Sequence, residues 1–420
     1  MDSLDAARQL IGHTLAFHIV VVALSIGIPI LMSIFEWRAW RKNDDKMRTT
    51  VKLLSRWAAV FVVAGIFTGT AVALQMSTLW APFLNEVRPN VGIFFQLEGY
   101  MFLIEAIFLS WYLGTMHKVG TRSHFWMGIP ISIGTVGSAF FITTVNAYMN
   151  NPSGQFTVTT WLEFSHSVFS YIFATFVLFL GYMAWRSLRS HPKAIQDFLH
   201  FTMGKVAIYI AVLLVILALL GHQSAVNLAT TQPQKLAAIE ILDKTQSDAP
   251  LRVGGSIDAN GNASGGIVVP GALSLLVGYN NDTVVKGLNE YPRDQWPQLI
   301  VHMLFDLKMA LIGLVSLVVV AVIYFVWRKK PLPKWLRISL IPLGVTGFVL
   351  VELGWFITEF GRQTWTVVGK QTTAAALTHG ADIKGSLIIF IILFIVLTLS
   401  TLFALAYTTR HWRATEKLSW

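Results

Sequence analysis

Nine apolar runs, each long enough to cross a lipid bilayer, dominate this chain and leave it one kind of fold. They occupy residues 12–36, 57–80, 91–114, 124–148, 162–185, 204–222, 299–327, 336–358 and 386–409. About 20 apolar residues carry a helix across the hydrocarbon core. Only helices and closed barrels satisfy every backbone N–H and C=O there. The runs lack the alternation of barrel strands, so the expected fold is an all-α membrane protein of about nine transmembrane helices. Composition agrees: 13% of the residues are charged, against roughly 25% in soluble domains. The first run starts near Leu15, is too long for a secretory leader and lacks a small-residue cleavage site, so it reads as span 1.

The net charge of +10 would suit a nucleic-acid binder, but the cations are sorted by side. The links after spans 1, 3, 5 and 7 and the C-terminus hold Arg38, Arg41, Lys46, Lys118, Arg122, Arg186, Lys193, Arg328, Lys330, Arg413 and Lys417, among others. The opposite short links carry Arg8, Arg88, Arg362, Lys370 and Lys384. Lys and Arg gather on the cytoplasmic side of membrane proteins. The N-terminus and the long link between spans 6 and 7 are therefore expected outside, the C-terminus inside, and no nucleic-acid partner is expected. The chain divides into spans 1–6 (1–222), an external loop (223–298), and spans 7–9 with a cytoplasmic tail (299–420). The loop's Gly/Asn-rich stretch, Gly254 to Gly266, suits a disordered connector. Gln232-Pro-Gln-Lys-Leu-Ala-Ala-Ile-Glu240 instead reads as a helix start.

Cysteine is absent. Disulfides, thiolate-bound iron–sulfur clusters and covalently attached haem c are thereby excluded. Any cofactor is held by His, Met, carboxylate or packing. Ionisable side chains in lipid cost at least a few kcal/mol and tend to be functional. Here they are His18 (span 1), Glu98 and Glu105 (span 3), His166 (span 5), Asp306 and Lys308 (span 7), and Glu352 and Glu359 (span 8), with His13 and His302 near the outer ends. Each has a plain reading and a chemical one. His18 and His166 are either hydrogen-bonded bundle histidines or haem iron ligands. Met309 by itself reads as packing. Glu98 and Glu105, two turns apart on one face, are a polar seam or a stepwise proton relay. Trp355, Glu359 and Arg362 share a face at steps of four and three, where the last two form a salt bridge or part of a site.

Several segments together resemble subunit I of cytochrome bd-type quinol oxidases, along nearly the whole chain. Ala16-Phe-His18, with Arg8 ten residues upstream, is similar to the family's first-span histidine and arginine. Glu98-Gly-Tyr-Met with Glu105 resembles its paired third-span carboxylates. Ser138, Asn146 and Tyr148-Met-Asn-Asn-Pro152 resemble its proton-path segment. His166-Ser and Lys308-Met309 resemble the two axial-ligand positions of its low-spin haem b. Gly221-His-Gln-Ser and Gln232-Pro-Gln-Lys235 to Glu240 are similar to the start of its quinol-oxidising loop. Trp355 to Glu359-Phe-Gly-Arg362-Gln-Thr-Trp365 is similar to its Gly-Arg-Gln-Pro-Trp signature. Two departures stand out: Thr364 occupies the signature's proline position, and Lys308 replaces the arginine usual beside the Met ligand. The loop is short, and its Gly-His-Gln opening is closer to the cyanide-insensitive branch, which includes members with haem b in place of haem d.

The resemblance implies a terminal oxidase that oxidises quinol at the outer face and reduces O2 with protons from the cytoplasm, building a gradient without pumping. It implies three haems: a low-spin haem b, a high-spin haem b, and a haem d or further haem b. His166 and Met309 would ligate the first. His18 and Glu359 would serve the oxygen-reducing pair, with Trp355 and Arg362 orienting Glu359, and Arg8, Lys308 and Trp365 lying in the haem surroundings. Lys235 and Glu240 would bind quinol, while Glu98, Glu105, Ser138 and Asn146 would carry protons. Expected partners are a subunit II, in many members a small single-span subunit, the membrane quinone pool and O2, in a bacterial or archaeal plasma membrane. Haem–copper oxidases need an adjacent His-His pair, which this sequence lacks. The competing classes are a dihaem cytochrome that only shuttles electrons, an oxidase-like subunit feeding electrons elsewhere, and an ion-coupled transporter, which would be colourless.

Overall fold

The computed structural model of the chain describes residues 3–116, 118–258, 261–378 and 383–415. Lys417 and the side chains of Lys384 and Arg413 lie outside the described residues. Among the described residues nine helices are long and apolar enough to span a membrane. They are α1 (Ser3–Lys42), α2 (Asp45–Leu79), α3 (Ala81–Thr115), α4 (Thr121–Asn150), α5 (Val158–Ser187), α6 (Lys193–Thr231), α9 (Ile300–Trp327), α10 (Lys334–Arg362) and α12 (Ile383–Thr415). Between α6 and α9 lie α7 (Pro233–Ile239) and α8 (Ala272–Gly278); α11 (Thr373–Ala376) precedes α12.

Local chemistry sets the helix ends. The Asp44 carboxylate accepts from Lys46 N and Met47 N at 3.0 and 3.1 Å and caps α2. Thr157 and Thr160 form a reciprocal capping box at the start of α5. α6 runs to Thr231, nine residues past the expected end of span 6. Its last turns are helix-compatible and anchored, since Asn227 Nδ2 donates to Thr159 Oγ1 at 3.0 Å. Pro233 then stops it, because the residue before a proline avoids helical geometry, and Gln232 sits at φ −142°, ψ 61°.

Lipid offers no hydrophobic drive between helices, so small residues that admit close backbones carry the packing. A Cβ on Gly134 of α4 would stand 2.9 Å from Glu105 N and Met101 O of α3. Across α5 and α10, Ala174 faces Gly347 and Gly181 faces Gly344 as closely. The main core fills the bundle, with Leu31, Phe35, Leu180, Met203 and Leu336 among its buried members.

The end of the bundle carrying the α6–α9 connection is the loop end. That connection is folded. β1 (Leu251–Val253) pairs antiparallel with β4 (Ile267–Val269), and β2 (Ser256–Ile257) with β3 (Ala263–Ser264) inside it. Leu236, Ala237, Leu242, Leu273 and Leu288 bury a small core shared with Val301 and Ile357 of the spans. After α10, β5 (Trp365–Val367) and β6 (Gln371–Thr372) form a hairpin at the same end. Lys370 Nζ ties it to Tyr148 OH at 2.8 Å, and Val368 N to Met149 O at 2.9 Å.

Candidate functional site

Polar side chains inside the bundle concentrate toward the loop end. On α3 and α4, Ser138 Oγ donates to Glu98 Oε1 at 3.0 Å. Glu105, 2% exposed, lies where Gly134 lets the two helices touch, and its Oε1 meets no partner among the described residues. Both carboxyls therefore face α4, as their seven-residue spacing requires.

Asn146 continues the same line, its Nδ2 donating to Glu359 Oε1 at 3.2 Å. The other oxygen of Glu359 pairs with Arg362. Asn150 bridges further, giving Nδ2 hydrogen bonds to Asn146 Oδ1 at 2.8 Å and to Glu163 Oε1 at 2.9 Å. Lys235 of α7 reaches this cluster from the loop. Its Nζ donates to Thr358 O at 3.2 Å, and its chain lies across Gly361, where a Cβ would stand 2.8 Å from Cε. Glu163, Glu359, Lys235 and Arg362 thus gather two acids and two bases at one point, which neutralises charges that would be costly alone. Arg8 Nη2 joins from α1 through Gln363 Oε1 at 3.3 Å. The Gln363–Thr364 peptide bond is cis. Trp355 packs against its chain neighbour Phe356, and Trp365 sits half-buried in β5.

His18 Nδ1 lies 2.8 Å from Thr68 Oγ1, whose hydroxyl hydrogen goes to Ala64 O at 3.0 Å. The imidazole therefore donates from Nδ1 and keeps the Nε2 lone pair available, the tautomer a metal-binding histidine needs. Gly69 leaves room beside the ring, where a Cβ would meet Cε1 at 3.5 Å. His166 has a buried Nδ1 without a partner among the described residues. Met309 is 50% exposed on α9. The preceding residue, Lys308, points inward against Gly354 and within electrostatic reach of His166. One helical residue is a turn of about 100°, which separates the two faces.

Lys235 and Glu240 lie beneath the loop surface, 5% and 4% exposed. Burial pushes the Glu240 carboxyl up to about 7, with the nearby Asp306 carboxylate adding to it. Burial likewise draws the Lys235 ammonium down to about 8, opposed by Glu163. Asp306 accepts from Gly254 N at 2.6 Å, and His302 spans Ile239 O and Gly254 O at 2.7 and 3.1 Å. His302 is therefore a strut between α9 and the loop, and His13 is exposed on α1, bonded to its own helix.

Two features escape a sequence reading. Glu163, three residues before His166, sits in the charge cluster described above. At the opposite end, Glu36 of α1 holds His124 Nδ1 of α4 at 2.5 Å and Tyr112 OH at 2.7 Å, all buried, with Tyr112 on the helix that carries Glu105. A carboxylate within a few residues of a span end looks like an ordinary flank until the fold closes over it.

Buried polar groups are paired in nine cases of ten or more. Here His166 Nδ1, Arg8 Nε, Arg362 Nε and Nη1 and both Glu352 oxygens are buried without partners among the described residues. Imidazoles with a free nitrogen and guanidiniums with spare donors suit a metalloporphyrin, whose iron takes imidazole and whose carboxylates take Arg. Among the described residues no three His, Cys, Asp or Glu side chains gather to chelate a bare ion.

Residues 6–412 match the profile of the family described as cytochrome bd terminal oxidase subunit I. A Bacillus subtilis (strain 168) protein, provisionally named cytochrome bd menaquinol oxidase subunit I, is 32% identical over 100% of this chain and 99% of its own. The cytochrome bd-II ubiquinol oxidase subunit 1 of Escherichia coli (strain K12) is 23% identical over 96% of this chain and 95% of its own. A solved chain of the bd oxidase from Geobacillus thermodenitrificans superposes with a TM-score of 0.91 at 29% identity, covering 98% of this chain and 99% of that one.

Proposed function

The chain belongs to the cytochrome bd terminal oxidase subunit I family, and as such is a haem-using, multi-pass subunit of a terminal quinol oxidase; from that premise we propose that its loop end oxidises quinol while α3 and α4 deliver protons to an oxygen-reducing site beside Glu359. Haem, when bound, supplies electron transfer and the centre where oxygen is reduced. His18 and His166 would be the imidazoles that hold iron, with Met309 the partner ligand expected beside His166, and Glu359 would be the carboxylate of the second oxygen-site centre; three haems are expected, with haem d or a further haem b as the third. Arg8, Arg362 and Trp365 border them.

The supporting observation is the hydrogen bond from Asn146 to Glu359, which joins the α4 proton line to the α10 signature. Protons enter at Glu36, His124 and Tyr112. They pass Glu105, then Glu98 with Ser138, then Asn146. Seven residues of helix between Tyr112, Glu105 and Glu98 are roughly 10 Å each at 1.5 Å per residue, a gap that a few bridging waters span. At the loop end Glu240 takes a quinol proton, its carboxyl near 7 being matched to that task. Lys235 holds the quinol oxygen side and ties the loop to Thr358. With the loop end outward, in the plasma membrane, quinol protons leave outside and water protons come from inside, so a gradient forms without pumping. A subunit II and a small single-span subunit complete the complex.

Glu105→Gln tests the proton line. General acid–base groups contribute about 100-fold or more, so oxygen consumption should fall by about 100-fold while the pyridine haemochrome count stays level. Full turnover in Glu105→Gln would defeat the relay. Wild-type complex free of haem would defeat the whole assignment.

A further inference from the structure

One stripe of α4 meets the polar groups of the bundle. His124, Gly128, Ser132, Thr135, Ser138 and Asn146 fall within about 120° of arc at roughly 100° per residue. Away from the loop end, His124 holds one oxygen of Glu36, and the other lies beside Gly128, 3.7 Å from where a Cβ would be. Toward the loop end, Ser138 meets Glu98 at 3.0 Å and Asn146 meets Glu359 at 3.2 Å. Ser132 and Thr135 stand between these two groups. Ser33 of α1, one turn nearer the loop end than Glu36, sets its Oγ 3.1 Å from Ser132 Oγ, and either hydroxyl can donate. Thr135, 1% exposed, gives its hydroxyl hydrogen to Ser132 O at 3.0 Å and retains its capacity to accept. Ser132 lies about 6 Å along α4 from Gly128 and about 3 Å from Gly134, the residue that touches the backbone of Glu105. One oxygen of Glu105 is buried without a partner among the described residues.

Serine pairs glue helices together; this pair also lies where the line from Glu36 to Glu105 has no carboxyl or imidazole of its own. We infer that Ser33 and Ser132, with Thr135 behind them, carry protons across the gap between Glu36 and Glu105. The inference rests on the proton-line reading above and supplies its stations on the side away from the loop. A hydroxyl has one hydrogen to give and two lone pairs to accept with. A proton released by Glu36 reaches Ser33 Oγ through a bridging water as Ser33 passes its own hydrogen to Ser132 Oγ. Ser132 in turn passes its own toward Glu105, through a second water anchored by Thr135 Oγ1. Each oxygen gains one proton and loses one, no charge stays behind, and no electron moves. Rotation of the two hydroxyls resets the pair.

The double variant Ser33→Ala/Ser132→Ala tests it in the purified complex, by oxygen consumption with quinol in H2O and in D2O. Turnover should fall about tenfold, less than the roughly 100-fold of a lost acid–base group, because water entering the vacated space restores part of the wire. The ratio of the H2O to the D2O rate should rise above that of the wild type, with the pyridine haemochrome count level. Ser33→Thr, which keeps a hydroxyl, should recover most of the rate that Ser33→Ala loses. Unchanged turnover in the double variant, beside a crippled Glu105→Gln, would overturn the inference and leave the proton line standing. Full turnover in Glu105→Gln would overturn the line and this inference with it. A slow double variant with a lowered unfolding temperature and an unmoved isotope ratio would reduce the pair to helix glue. Should the double variant fail to assemble, Ser33→Ala and Ser33→Thr decide side by side, and equal rates overturn the inference.

Discussion

The proposed role of Glu240 as acceptor of the quinol proton predicts a pH profile from its surroundings. A base acts only when deprotonated, and burial with Asp306 nearby sets that carboxyl near 7. Quinol oxidation should therefore fall as pH drops through about 7. Glu240→Gln should lose that limb and run about 100-fold slower at its plateau, as read by stopped-flow quinol oxidation across pH 5.5–8.5. The same shift has a stability consequence of fixed sign. The folded value stands above the unfolded 4.5, so the folded loop binds the proton more tightly than the unfolded one. Stability is full below the unfolded value and is lost as pH rises through about 7. Glu240→Gln removes that loss. Compared at each pH, the wild-type loop should be the more readily cut by protease at pH 8, with the gap closing at pH 5. At this scale the sequence was only partly legible. Glu98 and Glu105 declare a shared face by their spacing, and Glu359 and Arg362 declare a pair. Which of Lys308 and Met309 looks inward depends on helix rotation, which a window of mixed apolar residues does not reveal. Glu36 and His124 are 88 positions apart, and only the closure of α1 on α4 joins them.

At the scale of elements, hydropathy marked the nine spans because lipid forces the backbone into helices. It could not mark how the helices touch. That rests on single glycines. A side chain at Gly134 meets the α3 backbone at 2.9 Å, and the backbone cannot swing aside as a side chain can. Gly134→Val should lower the unfolding temperature of the detergent-solubilised complex, by the 1–3 kcal/mol typical of overpacking, and disturb Glu105. Gly361 is the contrasting case, since its neighbour is the flexible Lys235 chain. Gly361→Ala should leave the unfolding temperature nearly unchanged while displacing the lysine from Thr358 O. Loss of a charge-assisted hydrogen bond of about 1.5 kcal/mol corresponds to about a tenfold rise in the KM for quinol. A large fall in thermal stability with KM unmoved would show that Lys235 only props the loop. Elements outside the membrane were less legible. α7 was readable from Pro233 and the run after it. The ribbon of β1 to β4 hides in a Gly/Asn-rich stretch, because its strands are two or three residues long and their pairing is set by turns rather than by apolar alternation.

For the whole molecule, the decisive quantity is which end faces the cytoplasm, since the proposed proton uptake and the proposed quinol oxidation lie at opposite ends. The fold groups Lys42, Lys46, Arg189 and Lys330 at one end and the folded loop at the other. Membrane insertion favours the cation-rich end inside; under the proposed mechanism Glu36 and His124 then face the side of proton uptake and Glu240 the side of proton release. The same orientation accounts for the charge of +10 by sorting cations to one side. A chain with no cysteine makes the test unambiguous, because any thiol introduced is the only one in this subunit. Ser264→Cys lies on the exposed β3 strand of the loop, and Lys330→Cys on the exposed turn after α9. In intact spheroplasts a membrane-impermeant maleimide should label Ser264→Cys, and should reach Lys330→Cys only after permeabilisation. Both changes replace exposed residues away from the buried groups, so oxygen consumption should be unaltered. Labelling in the reverse pattern would put the proton line's mouth outside. Quinol and water protons would then be exchanged on the wrong sides, and the proposed gradient would collapse with it.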